Sequence, residues 1–164
     1  MNDREKTTLI EAICLHGQPD TWGSRTSLNP AQLLVQDVEA LITLFCMEGI
    51  AGYYFCTDGM NSIGIVAQLR AIGDDVSADM IQKINNELFQ GGAPPTTPDA
   101  MNELFDKNDL FAVLEKVQAE LDDNRIRGRL AEYVDLHLDE LGEGIDIERA
   151  KTYMDQLIKQ AYGD

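Results

Sequence analysis

Apolar side chains recur at helical spacing along most of this chain. Asn29-Pro30 supplies an N-cap followed by a proline suited to a first helical position, and positions 34, 38, 41, 42 and 45 are then apolar. That segment, AQLLVQDVEALITLFCMEG, is apolar on several sides, which predicts a central buried helix. Gly49 and Gly52 bracket a break, and the aromatic run Tyr53-Tyr54-Phe55 follows it. Residues 60–72 predict a second buried helix, stopped by Gly73. Ser77 is a candidate cap for a third, which Gly91-Gly92 would end. The breakers in GGAPPTTPD mark one long loop, too short for a domain linker. Beyond it, Asp99 is a candidate cap for a helix to about Lys107, and another runs from about Asp109 to Asp122. Asp123-Asn124 is a joint. Asp146 is a candidate cap for the last helix, whose stripe is Ala150, Met154, Leu157, Ile158 and Ala161. Strand alternation is absent. The reading is an all-α chain, a compact single-domain bundle of about seven to ten helices over residues 1–164.

The segment AEYVDLHLDELGEGIDIE, residues 131–148, changes the picture. Leu130, Tyr133, Val134, His137, Leu138 and Leu141 fall on one helical face, which should pack on the core. Glu132, Asp135, Asp139 and Glu143 follow at steps of three, four and four along the outer side, and Asp146 extends the line. No Lys or Arg lies between 130 and 148. Asp99, Glu103 and Asp106 form a second row at similar spacing. On a helix such carboxylates stand about 5 Å apart along the axis, and like charges one turn apart are mutually unfavourable. A solvated face is the plain explanation for one such row. Two unbalanced rows point to an acidic interaction surface.

Charge bears on partners. The net charge is −16, and residues 99–148 hold 15 acids against five bases, an acidic C-terminal half. That opposes direct contact with nucleic acid or an anionic membrane and suits a basic protein. With no apolar run of about 18 residues and no apolar leader in MNDREKTTLIEA, neither a membrane span nor a secretory signal is expected. Cys14, Cys46 and Cys56 form no CxxC pair and read as reduced, buried thiols of a cytoplasmic protein.

Enzymatic chemistry finds little support. His16 and Cys14 are two residues apart and would not face each other on a helix. His137 lies on an apolar face. No nucleophile elbow or phosphate-cradling glycine loop is present. Asp122-Asp123-Asn124 opens like a calcium loop, but Ile126 falls where an oxygen ligand is needed. No metal and no cofactor are expected. Arg125, Arg127 and Arg129 form a small basic cluster that could brace Asp122 and Asp123.

The runs ALITLFCMEGIAGYYF (40–55), AQLRAIGDD (67–75), LFQGGAPP (88–95), AELDDN (119–124) and RLAEYVDLH (129–137) occur in an order that resembles a bacterial family of acidic, all-helical domains formerly of unknown function, the nineteen-kilodalton DNA mimic family. The likeness covers roughly residues 33–137. Two places depart from the family pattern: Ile50-Ala51-Gly52-Tyr53 replaces an Asn-Gly-Gly-Phe turn, and Phe89-Gln90 replaces Phe-Pro. The resemblance implies a non-enzymatic DNA mimic that occupies the DNA-binding surface of a DNA-binding protein, a helix-turn-helix transcription factor by expectation, and keeps it from DNA. It also implies self-association as a dimer. Its implied surface is the two acidic rows. The alternative is a helical adaptor or immunity-like protein that binds through the apolar Tyr53–Phe55 region, with acids serving solubility alone.

Overall fold

The structure is a computed structural model that describes residues 2–17, 24–56, 61–90, 92–95, 97–107 and 110–162; the side chains of 98, 102, 105–107, 110–113 and 161–162 are not part of that description. Among the described residues there are nine α-helices, one 3-10 turn and no strand, so the fold is all-α. The chain forms two compact units. One comprises Met1–Gln36 and Val134–Asp164, the other Asp37–Tyr133.

The first unit opens with a helix that the apolar pattern did not mark, α1 (Asp3–Leu15). Its start is a capping box: the Glu5 amide donates to Asn2 Oδ1 at 3.0 Å, and the Asn2 amide donates to Glu5 Oε2 at 2.8 Å. Leu9, Ala12 and Ile13 are its buried face. Beyond α1, Gly17 has φ +76, and a Cβ there would sit 2.2 Å from the Arg25 nitrogen, so only glycine fits. His16 is buried, with Nε2 2.9 Å from Ser27 Oγ on the 3-10 turn Arg25–Ser27. α2 (Pro30–Cys56) begins in this unit, α8 (Leu138–Gly142) lies within it, and α9 (Ile147–Tyr162) ends it. Ala12 of α1 and Ala150 of α9 are both fully buried, flanked by Leu15, Ile145 and Tyr153. The Asp146 carboxylate caps α9 by accepting from the Arg149 amide at 3.0 Å, as its position predicts. The α9 stripe is buried only at its start: Leu157 and Ile158 are exposed.

The second unit carries most of α2. Gly49 interrupts this helix, as the break expected there requires. It adopts φ 73, ψ −177 and kinks it, and the helix resumes through Cys56. The resumed turns bury Tyr53 and Tyr54, whose rings meet edge-on at 5.7 Å, while Phe55 stays partly exposed. Tyr54 donates to Asn85 Oδ1 at 2.7 Å, and Asn85 Nδ2 donates to the Ser62 carbonyl at 2.7 Å. Burial pushes the Tyr54 phenol well above its ordinary pKa. Two core tyrosines cannot form the exposed aromatic patch that an apolar binding surface at 53–55 would need.

α3 (Ser62–Ala71) and α4 (Asp75–Phe89) are the most closely packed pair in this unit. Asp74, not Ser77, caps α4: its carboxylate accepts from the Ser77 amide at 3.0 Å and the Ser77 hydroxyl at 2.7 Å. Ser77 is the buried third residue of that first turn. Gln90, a non-glycine residue at φ 49, ends α4. α5 (Pro98–Lys107) starts from Thr97, whose hydroxyl accepts from the Ala100 amide at 3.3 Å, and Asp99 falls inside the first turn instead of capping it. α6 (Leu110–Glu120) packs on α4 through a face that includes Leu114 and Val117. α7 (Asp123–Leu136) follows a joint at Leu121-Asp122, where Asp122 Oδ1 accepts from the amides of Asn124 and Arg125 at 3.0 and 3.3 Å.

Candidate acidic interaction surface

The acidic segment is not one helix. α7 ends at Leu136, His137 leaves the helical region at φ −121, ψ 20, and α8 starts at Leu138. The straight row Glu132, Asp135, Asp139, Glu143 is therefore broken at His137, and Glu143 sits beyond α8 in extended backbone. The break has an electrostatic consequence. Asp139 and Glu140 now occupy the first turn of a helix, where the backbone N–H groups favour negative charge, instead of a helix interior where they would repel Asp135 one turn back.

Side chains from far along the chain hold α8 in place. Asn29 and Gln32 form a reciprocal box at the start of α2: Asn29 Oδ1 accepts from the Gln32 amide at 2.9 Å, and Gln32 Oε1 accepts from the Asn29 amide at 3.0 Å. Their free NH₂ groups then reach the end of α8. Asn29 Nδ2 donates to the Glu140 carbonyl at 2.9 Å. Gln32 Nε2 donates to the carbonyls of Leu141 and Glu143 at 3.0 and 2.7 Å. Carbonyls at a helix end have few partners of their own, and although the Glu140 carbonyl also accepts from the Glu143 amide at 3.3 Å, the two side-chain amides add three bonds that fix the backbone of the segment bearing the acids.

The predicted site residues divide by what they touch. In the first unit, Asp135 is paired with Lys6 of α1. That contact, by hydrogen bond first and charge second, holds the Lys6 ammonium above its ordinary pKa. Asp146 is exposed, but its carboxylate is engaged as the α9 cap. Asp139 and Glu143 are exposed, and so is Glu140, which the row had passed over. Among the described residues none of these three carboxylates has a cation within 4.0 Å. In the second unit, Glu132 is exposed and paired with Arg129 at 2.9 Å. Asp99 and Glu103 are exposed on α5, and the Asp106 side chain lies outside the described residues.

The absence of Lys and Arg from 130 to 148 therefore did not leave every acid unbalanced: Arg129 and Lys6 reach in from outside that window. What remains open in the first unit is Asp139, Glu140 and Glu143. Asp135, Asp139 and Glu140, with Leu136, His137 and Leu138, line a shallow depression of about 380 Å³. Leu136 was also missed. Its signal was present, because it is an apolar residue among acids and off the Tyr133, Val134, Leu138 and Leu141 face.

The arginines serve the fold. Arg125 Nε donates to Asp74 Oδ1 at 3.1 Å and its Nη2 to Ser77 Oγ at 3.0 Å. Arg127 Nε donates to Asp123 Oδ2 at 3.4 Å and its Nη2 to Cys46 Sγ at 3.5 Å. Cys46 and Cys56 are exposed and Cys14 is half-buried, instead of all three being buried. Asp122 spends its carboxylate on the α7 cap, and no group of three or more His, Cys, Asp or Glu that could hold a metal occurs among the described residues. Among these residues no helix is long and apolar enough to cross a membrane.

The model of the DMP19-like protein family matches residues 26–137, and the chain belongs to that family. No curated protein and no solved structure matches the chain.

Proposed function

We propose, with membership of the DMP19-like family as the premise, that this protein is a DNA mimic: a non-enzymatic inhibitor that covers the DNA-binding surface of a cytoplasmic DNA-binding protein, a helix-turn-helix regulator, and keeps it from DNA. It needs neither metal nor cofactor, and it self-associates as a dimer. The observation that carries this reading is the set of exposed carboxylates on the α8 segment, Asp139, Glu140 and Glu143, with no cation within 4.0 Å among the described residues and on a backbone held by Asn29 and Gln32. Exposed carboxylates on an anchored backbone can meet the Lys and Arg side chains that a DNA-binding protein directs at phosphates.

The test is capture from cell lysate on the immobilised protein, with elution by duplex DNA in one arm and by salt in the other. A DNA-binding protein released by duplex at constant ionic strength is the expected result. Retention of only those proteins that duplex cannot displace would overturn the reading.

A further inference from the structure

Leu136 is the most exposed of the large apolar side chains described, at 81%. A single exposed leucine on a protein surface is ordinary. The setting of this one is not, because it ends α7 at the point where the helix breaks and shares one depression with the carboxylates of Asp135, Asp139 and Glu140. Those acids lie on both sides of it in the chain. Asp135 is already paired with Lys6, so a basic surface that grips Asp139 and Glu140 in that depression meets Leu136 beside them.

We infer that Leu136 is an apolar specificity contact inside the acidic surface, and that the partner surface it fits places an apolar side chain among Lys and Arg. This rests on the proposed mimicry and deepens it. Surfaces that read the major groove of DNA have the same mixed chemistry, since basic residues meet phosphates and apolar residues meet the C5-methyl of thymine. The Leu136 methyls, standing among carboxylates, reproduce that pairing of methyl and negative charge. Charge steers such an encounter, whereas a desolvated apolar contact near its centre separates one basic partner from another.

Two synthetic helical peptides serve as probes, with the same four Lys and Arg and differing at one central position, Phe in one and Ser in the other. Each is titrated into the full chain while the Leu136 methyl resonances are followed by NMR. Leu136→Asn and the double variant Asp139→Asn/Glu140→Gln are run in parallel, and circular dichroism confirms their helix content. The expected result is a preference of about tenfold for the Phe peptide, the scale of burying one apolar side chain, with shifts at Leu136. Leu136→Asn should remove the preference. The double variant should weaken both peptides together. Equal binding of the two peptides by the parent, binding of neither, or an undiminished preference in Leu136→Asn would overturn the inference. If the double variant bound both peptides as well as the parent does while the Leu136 preference persisted, the apolar contact would stand and the charge-based reading would fail.

Discussion

Asp74 and Asp139 are both aspartates at the start of a helix, one in each unit, and their surroundings are opposite. Asp74 is almost wholly buried and accepts from the Ser77 amide, the Ser77 hydroxyl and Arg125 Nε. Asp139 is exposed and has no cation within 4.0 Å among the described residues. A buried carboxylate must be matched by donors, because leaving water is expensive for a charge. An exposed one keeps its hydration and stays available to an outside cation. Acid content alone does not define a surface: in this chain some acids build the fold and others stay in water.

The largest expected effect on stability falls on the first kind. Asp74→Ala removes the α4 cap and leaves Arg125 without its buried partner, and should cost about 3–5 kcal/mol in chemical denaturation. Loss of the same size on replacing exposed Asp139 with Ala would break the contrast.

Next comes the support of the exposed acids. Gln32→Ala deletes one half of the α2 box and two bonds to the end of α8, and should cost about 2 kcal/mol of stability. Faster hydrogen exchange should appear at the amides of 138–143. Unchanged exchange there would mean that α8 is fixed by other contacts.

The smallest effect belongs to Glu39, whose carboxyl burial raises above its ordinary pKa, with Arg127 opposing the shift in part. A carboxyl raised in the folded state weakens the fold at pH values above that raised pKa, and the penalty vanishes once the pH falls below the unfolded value. Glu39→Gln should therefore be slightly more stable than the parent at neutral pH, with the gap closing as the pH falls through the carboxylate range. A gap that widens on acidification would reverse the sign.

Much of the fold was legible from periodicity. The helices around positions 34–45, 62–71, 78–88, 114–121 and the start of α9 carry apolar faces at the spacing a helix requires. The caps were less legible where several cap-forming residues stand together: Asp74 and Ser77, or Thr97 and Asp99, satisfy the same local rule, and only the amide each one meets decides. α1 went unmarked although Asn2 and Glu5 spell a capping box, because its N-terminal turns are polar. Missing α1 hid Lys6, and with it the neutralisation of Asp135. The break at His137 could not be read locally, since the amides that hold α8 come from residues more than a hundred positions earlier. Part of the acidic site was therefore visible as composition and spacing, while which acids are engaged was settled both by near neighbours, Arg129 and the Arg149 amide, and by Lys6, distant in sequence.

The most direct test of DNA mimicry is competition. A DNA-binding protein released by duplex in the capture experiment is bound to a labelled duplex, and the parent chain or the triple variant Asp139→Asn/Glu140→Gln/Glu143→Gln is titrated in. Mimicry through the α8 acids predicts that the parent frees the duplex, that its potency falls steeply as salt rises, and that the triple variant, with unchanged helix content, needs at least about tenfold more protein to do so, since three charge contacts are removed at once. Displacement of the duplex by the triple variant at the parent's concentration would contradict it.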